Sequence, residues 1–138
     1  MKETITVKVV VKSNLEHAWD VFFQANHIKH WYFADPSWHV KDAHVSFEVG
    51  KEFHIHMEAK DQSFGFDFYG TYQVIQPYTY VLALLGDGRT LQVSFKELKE
   101  GILVSETFEV EDENSVELQR QGWQAILNQY QTYIESIA

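Results

Sequence analysis

His54, His56 and Glu58 stand at alternate positions in "EFHIHME", and two imidazoles with a carboxylate are a donor set suited to a transition metal. On an extended strand alternate residues share one face, so the three side chains project together. The same alternation puts Phe53, Ile55 and Met57 on the opposite face, and only that apolar set suits a core. Both histidines are therefore expected on the solvated side, with Asp67 of the next strand across from them. A functional metal site needs hydrogen bonds behind its ligands and restricted access to water, which a convex solvated face seldom offers, so no metal is expected. A slip of one residue in register would exchange the two faces.

Other reactive groups are scattered. His27 and His30 lie three apart on a short helix beside Trp31, where they are expected to rim a cavity mouth or cap the helix. His17, His39 and His44 are isolated and receive no role. Ser46, Ser63, Ser94 and Ser105 fall on strands or turns without a nucleophile elbow, and the chain has no glycine-rich phosphate loop. The absence of cysteine removes thiolate nucleophiles, disulfides and Cys-ligated zinc. No catalytic set emerges, and the balance favours a protein without catalysis and without a cofactor.

The elements that position these residues follow from hydrophobic period. In "TITVKVVVK" Ile5, Val7, Val9 and Val11 recur every second residue, the pattern of a strand with one buried face. Ser13 or Asn14 can then cap a helix in which Leu15, Ala18, Trp19, Phe22 and Phe23 share one side. A second short helix is expected through "NHIKHWYF", ended by Asp35-Pro36. Strands are predicted at 45–49, 52–59, 64–75, 79–85, 90–97 and 102–109, separated by the turn-forming "AKDQS", "QPYT", "GDGR" and "LKEG". In the strand from 64, Phe64, Phe66, Phe68, Tyr72 and Val74 are assigned to one face. The final segment changes to helical period, with Trp123, Ile126, Leu127, Tyr130, Ile134 and Ile137 on one stripe. Asn114 is its expected N-cap, with Glu117 three residues later as reciprocal partner.

Composition narrows the function. The 138 residues suit one domain with one core, and 45% hydrophobic with 15% aromatic content predicts a folded chain rich in flat side chains. A formal charge of -9 with no cluster of lysine or arginine disfavours nucleic acid. Nothing approaches the roughly 20 apolar residues of a membrane span, and the amino-terminal segment alternates polar with apolar, so no membrane association and a cytoplasmic location are expected.

Four patches in order, "HAWDVF", "IKHWYF", "GTYQVIQPYTYVLAL" and "GWQAILNQYQTYIE", cover nearly the full length. Through them the chain resembles the START-like or SRPBCC superfamily, specifically the family related to the activator of the heat-shock protein 90 ATPase. Tyr32 fills the position of the second aromatic after Trp31, while Tyr78 and Thr79 replace the proline or arginine that commonly follows Pro77.

The resemblance implies an α+β helix-grip fold: a curved antiparallel sheet of six or seven strands wrapped around a long C-terminal helix, with two short helices after the first strand. It also implies a cavity between sheet and helix. Candidate ligand-binding residues are then Trp31, Phe53, Ile55, Met57, Phe66, Phe68 and Tyr72, facing Trp123, Leu127 and Tyr130. Ring stripes at these periods also suit an ordinary packed core; an enclosing architecture is what favours a pocket. Tyr72, Tyr130 and the Trp123 indole would be its polar anchors. Gly122, costly inside a helix, is expected to permit a close approach or a bend.

The leading expectation is a binding protein for a small apolar or aromatic molecule. One alternative is a module that stimulates a heat-shock protein 90 homologue, with a role in stress response. Another is a metal-dependent or cavity-based enzyme, since members of the wider superfamily use the cavity for cyclisation or hydrolysis. Homodimerisation through a sheet edge or an exposed aromatic patch is compatible with each.

Overall fold

The amino-terminal strand and the meander form one sheet. A computed structural model describes residues 3–137. It contains β1 (Thr4–Val11), α1 (Leu15–Phe23), α2 (Ala25–Ile28), β2 (Trp38–Val45), β3 (Glu52–Ala59), β4 (Gly65–Gln76), β5 (Tyr80–Leu85), β6 (Thr90–Leu98), β7 (Gly101–Glu109) and α3 (Val116–Ser136). The sheet has seven antiparallel strands in the order β1-β7-β6-β5-β4-β3-β2. Strands β2 to β7 follow one another as a meander, while α1 and α2 carry the chain from the β1 edge to the β2 edge. This is the curved sheet and long terminal helix of the helix-grip fold.

Alternation explains the strands. On β7 every second residue is buried from Ile102 to Phe108, matching Ile5 to Val11 on β1 and Leu91 to Phe95 on β6. The helices complete the core by covering these residues. Asn14 caps α1 by accepting from the His17 amide at 2.8 Å, as one of the two expected candidates. Trp19 then packs edge-on to Phe23 and Phe95 at 4.8 and 5.1 Å between ring centres.

Three local expectations need correction. The strand expected at 45–49 is replaced by β2, which ends at Val45; residues 46–49 turn, with the Glu48 amide bonded to the Ser46 carbonyl and Gly50 at a φ of 86°. The N-cap of α3 is Ser115, whose hydroxyl accepts from the Leu118 amide at 3.1 Å, because Asn114 is tied to Glu111 instead. On β4 the register shifts between Tyr72 and Val74, so Ile75 rather than Val74 lies beside the buried Val81. Among the described residues no helix is long and apolar enough to cross a membrane.

Candidate functional site

Two neighbouring spaces lie on the concave side. The inner one, of about 30 Å³, lies under α1 and α2 and is walled by Phe22, Phe53, Ile55, Tyr72, Val81 and Val93. The outer one is a cleft of about 340 Å³ between the first half of α3 and the β3–β4 pair, bordered by Met57, Phe66, Arg89, Gln119, Gly122 and Trp123. Tyr32 and Phe68 line both. Their rings stack with centres 5.7 Å apart and form the partition between chamber and cleft.

The elements fix these side chains by ordinary means. Phe53, Ile55 and Met57 face inward because β3 alternates, and Phe68 and Tyr72 follow from the cross-strand pairs Ile55 with Phe68 and Phe53 with Gly70. Trp123 is held from α3 by stacking on Phe108 at 4.0 Å and meets Phe68 edge-on at 5.6 Å. Gln119 closes one end of the cleft. Its amide oxygen accepts from the Glu111 amide at 3.0 Å, and its nitrogen donates to the Glu111 and Asn114 carbonyls. Arg89, beside it, is paired with Asp87 at 2.7 Å.

Of the ten candidate residues, Phe53, Ile55 and Tyr72 border the chamber, Met57, Phe66 and Trp123 border the cleft, and Phe68 borders both. Phe66 is 51% exposed and forms part of the outer lip. Trp31, Leu127 and Tyr130 border neither space. Trp31 is fully enclosed, with its indole nitrogen donating to the Val21 carbonyl at 3.1 Å. The Tyr130 hydroxyl donates to the Ala18 carbonyl at 2.7 Å and joins α3 to α1. These three are core residues in this arrangement.

Sequence reasoning passed over Glu106, which lies among apolar residues on the concave side of β7 and is 1% exposed. Its cross-strand partners are Val7 and the chamber residue Val93. Burial pushes its carboxyl up to about 8, so it is mostly protonated at neutral pH. Burial also raises the hydroxyls of Tyr32, Tyr72 and Tyr130, and proximity to Glu106 adds to the effect on Tyr32 and Tyr130. The signal was present in "ILVSETF", where Glu106 occupies an inward position of a strict alternation.

The histidines of "EFHIHME" project from the opposite, outer face of the sheet. His54 Nε2 and His56 Nδ1 both hydrogen-bond the same Asp67 oxygen, at 2.8 and 2.7 Å, and His39 lies 3.3 Å from Glu58. These bonds, His54's first, lower the Asp67 carboxyl below its usual range. Among the described residues no group of three or more His, Cys, Asp or Glu is arranged to hold a metal ion. His27 and His30 flank Tyr133 near the end of α3, by a 2.8 Å bond and by stacking at 5.4 Å, and line neither space.

The geometry has counterparts among known proteins. A family model described as "Activator of Hsp90 ATPase homolog 1-like protein" matches residues 12–135. The solution structure of an AHSA1-like protein from Aeromonas hydrophila is 32% identical, with a TM-score of 0.92 over 98% of this chain and 94% of that one. A solution structure from Cytophaga hutchinsonii is 36% identical, with a TM-score of 0.80 over 98% of this chain and 92% of that one. A crystal structure from Chromobacterium violaceum shares the fold at 18% identity, with a TM-score of 0.86 over 96% and 98% of the two chains. No curated protein matches.

Proposed function

The chain belongs to the family of activator of Hsp90 ATPase homolog 1-like proteins, and from that premise we propose that it binds a small apolar or aromatic molecule between sheet and helices without converting it. The observation that carries this reading is the cleft of about 340 Å³, into which Tyr32, Phe66, Phe68 and Trp123 present their rings beside aliphatic and polar side chains. That size and lining suit a compact ligand of one or two rings. Phe66 and Trp123 offer flat faces, while Gln119 and Arg89 supply polar groups at the border. A cytoplasmic site of action belongs to this proposal and is supported by the cysteine-free composition.

Gly122 provides the test. A β-carbon placed there meets nothing within 4 Å, so a larger side chain would fill the cleft without a clash at its base. Fluorescence titration with N-phenylnaphthylamine should show saturable binding to the wild type. Gly122→Leu should weaken it at least about tenfold, a difference of about 1.4 kcal/mol, while melting stays cooperative. Equal affinity in both proteins would remove the cleft as the binding site.

A second reading, stimulation of a heat-shock protein 90 homologue, is supported by the family description alone. It requires the chain to raise the ATPase rate of that chaperone in a coupled assay, and an unchanged rate would dismiss it.

A further inference from the structure

The free edges of the sheet differ in how they are guarded. On β1 the carbonyls of Lys8 and Val10 accept from the side-chain amides of Gln124 and Gln131 on α3, at 3.1 and 2.8 Å. The Lys12 amide donates to the Glu135 carboxylate at 3.0 Å. On β2 the register shift at Lys41 breaks the ladder and leaves Lys41 and Asp42 exposed. Such covers, bulges and charges are the usual devices against unwanted pairing. A third edge lies within the sheet and has neither cap nor bulge.

That edge is the first half of β4. Pairing with β3 extends to Gly65, whereas pairing with β5 stops at Gly70 opposite Leu85, where the chain turns away. The Ala59 amide bonds the Phe64 carbonyl and the Tyr72 amide bonds the Lys51 carbonyl, each at 2.9 Å, so the even-numbered residues from 64 to 72 direct their backbone groups at β3. The odd-numbered ones point the other way. Tyr69 there accepts from the Gly86 amide at 3.0 Å. Among the described residues, the amides and carbonyls of Gly65 and Asp67 have no protein partner on that side. They open onto a gap of about 240 Å³, walled by β4 residues 66–69 and by Leu85, Asp87 and Arg89.

We propose that residues 65–69 of β4 take up an extended segment of a partner protein as an added strand, and that this segment alternates apolar, basic, apolar. Strand addition draws affinity from main-chain bonds and specificity from alternate side chains. The residues opposite Gly65 and Asp67 would each exchange two backbone bonds with them.

Side chains directly across a ladder share a face. Phe66 and Phe68 lie on the concave face, and Phe66 is 51% exposed, so apolar side chains opposite them would cover bare rings. Asp67 lies on the outer face. Bonds from His54 and then His56 to its Oδ1 lower the carboxyl, and Oδ2 has no partner among the described residues. An ionised, half-engaged carboxylate complements lysine or arginine. An acidic segment would instead meet Asp67 and Asp87. Arg89, the one cation among the described residues lining the gap, is already bound to Asp87 at 2.7 Å and to the Glu109 carbonyl at 3.1 Å. The gap ends at the β5–β6 turn, where the Tyr69 ring lies against Gly86 and any β-carbon would collide with it. So short an edge suits a chain end or a loop tip, not the edge of another sheet.

The probe is a palindromic peptide, acetyl-Ser-Thr-Val-Lys-Val-Thr-Ser-amide, which presents the pattern in either direction. In NMR spectra of the full chain, titration should move the amide signals of Gly65 and Asp67 downfield and slow their hydrogen exchange. Those of Phe66 and Phe68, already bonded to β3, should move far less. Methylating the lysine amide nitrogen of the peptide should weaken binding about fivefold. Replacing the lysine by glutamate should weaken it about threefold, and Asp67→Asn should erase that difference. Gly65→Pro removes one open amide at the first residue of β4, a position where proline is tolerated, and should weaken binding while the β3 ladder stays intact. Should that variant not fold, the methylated peptide makes the same test on the wild type. Unmoved Gly65 and Asp67 signals at millimolar peptide, or equal affinity for the methylated form, overturn strand addition. Equal affinity for the glutamate peptide overturns the basic partner. Movement of the same two signals on concentrating the protein alone overturns the partner segment in favour of a second copy of the chain.

Discussion

Tyr32 and Phe68 stack with their ring centres 5.7 Å apart and their planes 25° from parallel, and both border the inner chamber and the outer cleft. The partition therefore consists of two side chains from different elements, one after α2 and one on β4. Phe68 is further braced by Phe53 at 5.5 Å and by Trp123 at 5.6 Å. Its neighbours cannot all close over its absence.

Phe68→Ala should merge the two spaces. Because Phe68 is only partly buried, the expected cost is about 2 kcal/mol, below the usual 3–5 kcal/mol for a fully buried phenylalanine. Denaturant unfolding measures this loss. Stopped-flow mixing with N-phenylnaphthylamine should show faster association than in the wild type, because the barrier between cleft and chamber is gone. An unchanged rate would mean that the probe stays outside the partition.

Gly122→Ala should stabilise the protein by about 1 kcal/mol, the difference between the two residues inside a helix. The position is within α3, and an added β-carbon meets no other group within 4 Å. Neither a close approach nor a turn requires glycine here. Thermal and denaturant unfolding should show the gain, and a loss of stability would reveal a contact absent from this arrangement.

How far the sequence discloses the molecule depends on whether an element keeps one period throughout. The alternation of β1, β3 and β7 is unbroken, and that of β6 holds through Phe95, so their buried faces are legible. β2 hides because its register shifts between Val40 and Asp42, leaving Lys41 as the extra residue and splitting "WHVKDAHV" into two phases. The shift between Tyr72 and Val74 misplaces Val74 for the same reason. Helical spacing places Leu127 and Tyr130 inward, yet inward positions on one helix serve core and cavity alike, and packing against neighbouring elements decides between them. The irregular segment after α2 has no period, so nothing local distinguishes enclosed Trp31 from Tyr32, which lines the cavity.

Asp67→Asn should test the outer face. Asp67 receives both His54 and His56, but all three side chains are substantially open to solvent, where such pairs contribute little. The melting temperature should stay within about 2 °C of the wild type. Zinc uptake measured by equilibrium dialysis should be equally low in wild type and His56→Ala, since the two imidazoles turn toward one carboxylate oxygen. Stoichiometric uptake lost in His56→Ala would restore a metal site to this face.

Glu106→Gln should stabilise the protein in a pH-dependent way. The carboxyl has an ordinary value of 4.5 and is raised to about 8 in the fold, so between these values the native chain holds a proton that the unfolded chain has released. Unfolding then liberates a proton, and stability falls as pH rises, by about 1.4 kcal/mol per unit. The contribution of the protonated carboxyl is fully present below about 4.5 and is lost as pH rises through about 8. Glutamine carries no titrating proton, so the difference in unfolding free energy between variant and wild type should widen from pH 5 to pH 8, to a total on the order of 4 kcal/mol. Other titrating groups are common to both proteins and cancel. Urea unfolding at several pH values measures this difference directly. A constant difference would mean that Glu106 keeps the same ionisation in the folded and unfolded chains and that its surroundings are wetter than its burial indicates.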